Sequence, residues 1–144
     1  MRSLQWNPER AVHVPEIDAE HQEMFRLADD LRQAVLAHER TAHLELLRRR
    51  LSAEVNVHLS HEERLMQDAD YPAYAWHERQ HRTARSRLGI LEREVQRGDS
   101  QAMFHAVELL AGWMRDHTGV ADRMAAAYLR SYWRARDTNC TAGC

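Results

Sequence analysis

The sequence predicts an all-α domain: an up-down-up-down antiparallel four-helix bundle preceded by an extended N-terminal arm. Three observations carry this. Apolar residues recur at spacings of three and four through four stretches, each long enough for several helical turns. Only 5 Gly and 3 Pro occur in 144 residues, little material for the turns that many short strands would need. No stretch alternates with a period of two, and no fixed-length repeat points to a solenoid. A chain of this length suits one domain with one core. Residues 1–133 are expected to form it, and 134–144 to be a flexible tail carrying both cysteines.

Residues 1–17 lack helical period and contain Pro8 and Pro15, so they read as the arm, with Trp6, Val12, Val14 and Ile17 to pack it across the bundle. The first helix should start near Asp18, an acceptable N-cap or first-turn residue, and run to about His38. Its stripe is His21, Met24, Phe25, Ala28, Leu31 and Val35. Thr41 can cap the second helix, whose stripe is Leu44, Leu47, Leu51, Val55, His58, Glu62 and Leu65. Asp68 to Pro72 breaks it, and Pro72 suits the first turn of the third helix. That helix is expected from about Ala73 to Arg97, with His77, His81, Ala84, Leu88, Leu91 and Val95 on one face. Gly98 ends it, and Asp99 or Ser100 caps a fourth helix from about Gln101 to Trp133. The last stripe is Met103, Val107, Leu110, Met114, His117, then Ala121 or Asp122, Met124 and Tyr128.

Composition removes several classes of function. A net charge of −2 leaves no electrostatic footprint for nucleic acid or an anionic membrane. The longest apolar run, Leu109 to Met114, is too short to span a bilayer. No cationic start followed by an apolar stretch opens the chain, so a cytoplasmic protein is expected. Cys140 and Cys144 both fall in the last five residues, which rules out a disulfide framework. Ten histidines against two cysteines favour a metal site of imidazoles and carboxylates.

The stripes carry the chemistry. Each of the four helices places ionisable groups among its core positions: His21; His58 and Glu62; His77 and His81; His117 and Asp122. Residues at i and i+4 share a helix face, so His58 and Glu62 point the same way, as do His77 and His81. Antiparallel helices joined by short loops bring all seven to the same end of the bundle. Buried unpaired, each would cost of the order of several kcal/mol, comparable in sum with the stability of a whole domain. A metal centre offsets that directly. Five imidazoles and two carboxylates exceed the needs of one ion but suit two ions about 3.5 Å apart with carboxylates between them. Mixed nitrogen and oxygen donors favour iron or manganese over zinc. His117 and Asp122 are five residues apart, ~140° around an ideal helix. Both can reach one site if Asp122 approaches from the flank or if the helix is locally under-wound, and a π-type bulge near Gly119 is the form expected.

These motifs resemble those of hemerythrin-like proteins, in particular the small single-domain bacterial hemerythrins. The matching residues are Trp6, Val14-Pro15 with Ile17-Asp18-Ala19-Glu20-His21, His58-x-x-x-Glu62-Glu63-x-Leu65-Met66, Tyr71-Pro72, His77-x-x-x-His81 and Trp113-x-x-x-His117-x-x-x-x-Asp122. They span about residues 4 to 130. The resemblance implies that His77, His81 and His117 hold one iron and His21 and His58 the other. Glu62 and Asp122 would bridge the pair, together with an oxo or hydroxo group. Dioxygen would bind reversibly at the open position on the two-histidine side, for transport, storage or local delivery. Azide, peroxide and nitric oxide are further candidate ligands, so a diiron peroxidase, a catalase-like or nitric-oxide-handling enzyme and a sensor are alternatives. Met24, Phe25, Leu59, Leu65, Trp113, Met114 and Thr118 would wall the pocket, with Leu59, Trp113 and Thr118 nearest the ligand. Leu59 stands where the family usually has Phe, and Thr118 where it usually has a branched aliphatic residue. A smaller wall and an added hydroxyl should speed autoxidation. His13, His38, His43, His61 and His105 are left to surface or hydrogen-bonding roles, and Glu63 to the surroundings of the site.

Overall fold

A computed structural model describes residues 4–143, and all regular structure among them is helical. The elements are a 3₁₀ turn at Pro8–Arg10, then α1 (Pro15–Leu36), α2 (Thr41–Asp68), α3 (Tyr74–Arg97), α4 (Ser100–His117) and α5 (Arg123–Gly143). A π-helical segment, Thr118–Asp122, fuses α4 to α5 into one long rod. Helix α1 packs on α2 and α4, α2 on α3, and α3 on α4. That closes the square of the up-down-up-down four-helix bundle that the periodicity predicts. No helix among the described residues is long and apolar enough to cross a membrane.

The ends of the helices differ in position from expectation in three places, each for a local reason. Helix α1 begins at Pro15, three residues before Asp18, because proline at the first helical position already has helical φ and lacks an amide that would go unpaired. Asp18 sits in that first turn and works backwards: its carboxylate accepts from the Val12 and His13 amides at 2.8 and 3.1 Å. His13 adopts a left-handed φ of 63° to make the bend. Helix α3 starts at Tyr74, leaving Pro72 in the connecting turn, where Asp70 also adopts a positive φ of 50°. Helix α5 runs on to Gly143, so residues 134–143 continue a helix where a tail was expected. Cys144 and the side chain of Cys140 lie outside the described residues.

Helix α2 takes Arg40 as its N-cap and Thr41 as its first residue, with no side-chain hydrogen bond at the cap, so Thr41 is not the cap expected of it. The junction of α3 and α4 follows the predicted chemistry. Gly98 takes the left-handed conformation (φ 76°) and returns its amide to Glu94 O, ending α3. The Asp99 carboxylate accepts from the Gln101 and Ala102 amides and starts α4. The arm is not extended throughout, since Asn7 caps the 3₁₀ turn by accepting from the Glu9 amide. It is fastened at both ends. Leu4, Val12 and Val14 are buried, and the Arg123 and Arg130 guanidinium groups of α5 donate to Glu9 O and Val12 O.

The interior divides along the bundle axis. One end is apolar, built on Leu31, Leu51, Leu91, Val95, Val107 and Leu110, none more than 0 % exposed. The other end, where α1 starts, α2 ends, α3 starts and α4 ends, buries the ionisable stripe residues.

Candidate metal centre

Helix α1 supplies His21, α2 supplies His58 and Glu62, α3 supplies His77 and His81, α4 supplies His117, and the π segment supplies Asp122. All seven are buried, none more than 3 % exposed, in a protein that keeps most charged groups in water. The structure brings them together as two overlapping nests. Glu62, His77, His81, His117 and Asp122 form one, and His21, His58, Glu62 and Asp122 the other; within each, the offered atoms lie within 4.8 Å of one another.

The two carboxylates belong to both nests, and each divides its oxygens between them. Glu62 Oε1 lies 2.5 Å from His77 Nε2 and 3.1 Å from His81 Nε2, while Oε2 lies 3.5 Å from His58 Nε2. Asp122 Oδ1 is 2.8 Å from His117 Nε2 and 3.1 Å from His77 Nε2; Oδ2 is 2.9 Å from His21 Nε2. Asp122 reaches His117 because the π segment spends an extra residue per turn there, which undoes the angle that an ideal α-helix would impose. Thr118 contributes to that local winding. Its hydroxyl donates to Met114 O at 2.7 Å, the back-bonding that bends helices. The hydroxyl proton is thereby committed to backbone.

Among these short distances, Glu62 Oε1 forms hydrogen bonds with the Nε2 atoms of His77 and His81, and the others are not directed hydrogen bonds. Glu62 Oε2, both oxygens of Asp122, and the Nδ1 atoms of His21 and His77 have no directed hydrogen-bond partner although all are buried. Imidazole nitrogens also face each other directly: His21 and His58 Nε2 at 3.2 Å, His77 and His117 Nε2 at 3.1 Å. A hydrogen-bonded polar core pairs donors with acceptors, and buried atoms left over cost of the order of 1–3 kcal/mol each. Here, lone pairs converge on common points instead. The donor set and its orphaned atoms therefore fit cations bound between the helices.

The electrostatics agree. Burial and the charge of Asp122 would both raise the Glu62 pKa, yet hydrogen bonds with His77 and His81 and the nearness of His117 hold it well below the usual carboxylate range. Asp122 is likewise held low: burial works against it, but the charge of His117 and the close approach of His117, His21 and His77 prevail. Burial would lower the His77 pKa, but Asp122 and Glu62 push it up to about 9. His58 and His117 rise for the same kind of reason, against burial. Protons on these imidazoles do the neutralising that a metal ion would do, so metal binding must release them.

Outside the nests, three rings are held by their far nitrogens. His58 Nδ1 lies 2.8 Å from Glu20 Oε1, His81 Nδ1 3.0 Å from Glu63 Oε2, and His117 Nδ1 2.9 Å from Gln80 Oε1. Donation from Nδ1–H leaves the Nε2 lone pair free and aimed inward. Arg85 holds Glu63 at 2.6 Å, and His61 holds Glu20 at 2.8 Å. In the sequence Glu20 stands in the matching motif without a role assigned to it, and Gln80 is given none either. The available signal is that each adjoins a stripe histidine, His21 and His81 respectively. Trp113 stacks on His117, ring centroids 4.3 Å apart and 14° from parallel. Leu59 is buried in the apolar cluster beside His58.

The family model described as Hemerythrin HHE cation binding domain matches residues 12–129, a span that contains all seven nest residues. No curated protein matches the chain.

Proposed function

The chain belongs to the hemerythrin HHE cation-binding family, and on that premise we propose that it is a non-haem diiron protein that binds dioxygen reversibly, as a carrier, store or local supplier. The observation that carries this reading is the division of the carboxylates: Glu62 and Asp122 each present one oxygen to the three-histidine nest and the other to the two-histidine nest. A single-ion site has no use for that arrangement, and a pair of ions does.

In this reading His77, His81 and His117 would hold one iron, His21 and His58 would hold the other, and Glu62 and Asp122 would serve both. When bound, such a pair supplies two-electron redox chemistry toward dioxygen. The chain's own residues bind, orient and shield. The nest with fewer histidines leaves room for a ligand. Met24, Phe25, Leu59 and Met114, all essentially unexposed, close the adjoining interior with apolar surface and keep water and anions out. Trp113 covers the outer face of His117.

Anaerobic loading with ferrous iron, followed by air and then vacuum, tests this. A coloured form that bleaches under vacuum and returns in air is expected. Rapid irreversible decay, with turnover of peroxide or nitric oxide, would overturn the carrier reading and establish an enzyme. A chain that takes up one iron would overturn the dinuclear reading.

A further inference from the structure

The two nests are supported unequally from outside. The three-histidine nest has two braces. His81 leans on Glu63, which Arg85 grips, and His117 leans on Gln80. Glu63 and Arg85 are carried on α2 and α3, and Gln80 lies between His77 and His81 on α3 itself. The two-histidine nest has one brace. His21 Nδ1 has no partner, and only His58 is held from behind, by Glu20.

That one brace runs both ways between two helices. Glu20 stands on α1, immediately before His21, yet its carboxylate accepts from His58 on α2 at 2.8 Å and from His61, also on α2, at 2.8 Å. His61 Nε2 continues outward to within 3.6 Å of Glu16, one turn earlier on α1. One turn of α1 thus delivers a nest residue, His21, and fixes the direction of the other, His58. The side chains of Glu20 and His61 are 20 % and 21 % exposed, at the rim where nest meets solvent.

We propose that Glu20 and His61 are positioning residues that set the occupancy of the two-histidine iron, separately from the three-histidine iron. The inference rests on the dinuclear reading given above. With fewer imidazoles and a single outer support, this position loses proportionately more when that support goes. Outer partners of this kind are worth about 10–100-fold in metal affinity. The three-histidine position keeps Glu63, Arg85 and Gln80 and is unaffected. The protein then has a defined one-iron form, with the position that the proposed function assigns to dioxygen empty.

Dialysis of the iron-loaded full chain against a rising series of chelator concentrations, with iron counted per chain, tests this. The parent should hold two irons at the start. His61→Ala and Glu20→Ala should settle on a plateau of one iron at chelator concentrations about 10–100-fold lower than the parent needs. Glu20→Gln, whose amide oxygen still accepts from His58, should behave nearly as the parent. Circular dichroism checks that each variant is folded, and the surface position of His61 makes His61→Ala decisive if Glu20→Ala does not fold. Loss of both irons together, release indistinguishable from the parent, or equal loss in Glu20→Gln and Glu20→Ala would each overturn the proposal. A parent with fewer than two irons overturns the dinuclear reading and, with it, this inference.

Discussion

The two ends of the bundle are made by the same four helices with the same spacing, and they are held by different physics. At the apolar end, Leu31, Leu51, Leu91 and Val107 fill one another's gaps, and every contact is complete in the chain alone. At the other end, the same stripe positions carry His21, His58, His77 and His117, whose nitrogens meet each other and carboxylates of which Glu62 Oε2 and both Asp122 oxygens lack directed partners. The apolar end is complete by shape, and the nests, although apolar clusters around Ile17, Leu129 and Met66 adjoin them in the fold, leave polar atoms for something else to satisfy. The periodic pattern decides where a side chain is buried; the residue type decides whether burial is self-sufficient.

The sharpest break between the ends should come from Glu62→Ala, which removes an oxygen from each nest at once. Metal counted per chain should fall to near zero, while helix content, supported by the apolar end, stays close to that of the metal-free parent. A variant that still binds two irons would sink the shared-carboxylate arrangement. Next is Leu51→Ala at the opposite end, expected to cost about 2–5 kcal/mol of stability by urea unfolding, in metal-free and loaded protein alike. A cost confined to the loaded form would show that the ends are not independent.

The pH response should distinguish the ends further. His77 in the metal-free chain is raised to about 9 against an ordinary value of 6.5. Its contribution to stability is therefore fully present below about 6.5 and is lost as pH rises through 9. Loaded protein should respond in the opposite sense, because iron competes with those protons. Thermal unfolding at pH 6 and pH 9, with iron and with chelator, reads this crossing directly. Parallel trends in the two forms would contradict it. Thr118→Val should have a smaller effect: loss of the bond to Met114 O is expected to shift stability by about 0.5–1.5 kcal/mol with autoxidation little changed. A large rise or fall in autoxidation would put the hydroxyl back into the pocket.

The smallest effect belongs to the apolar end. Arg48 and Arg49 hold the Glu45 carboxylate down at about 2. Its contribution is present above about 4.5 and lost as pH falls toward 2. Solvent screening keeps it below ~1 kcal/mol. Glu45→Gln should accordingly be slightly less stable than the parent at pH 7 and equal to it near pH 2.

Which parts were legible in sequence follows the same division. The stripes mark both ends, because burial on a helix has a period that a single chain displays. Even the π segment at Thr118–Asp122 could be anticipated, since His117 and Asp122 had to face one centre across an awkward spacing. The start of α1 was misplaced because Asp18 has the chemistry of a cap, but its oxygens serve the amides of the arm behind it. The continuation of α5 past Trp133 carries no apolar stripe, and so no signal marked it. The links from Glu20 to His58 and from Gln80 to His117 were hidden for a deeper reason. They depend on the rotation of one helix against another, which spacing along either helix does not contain.

Asp122 has a consequence for the order of events during synthesis. It is the last of the seven side chains to be made and the one, with Glu62, that both nests require. A nascent chain that has folded α1, α2 and α3 therefore has neither nest complete, however many histidines it displays. Metal capture waits for the long final rod to dock, and the arm that fastens to Arg123, the residue after Asp122, has by then been waiting since the first residues emerged.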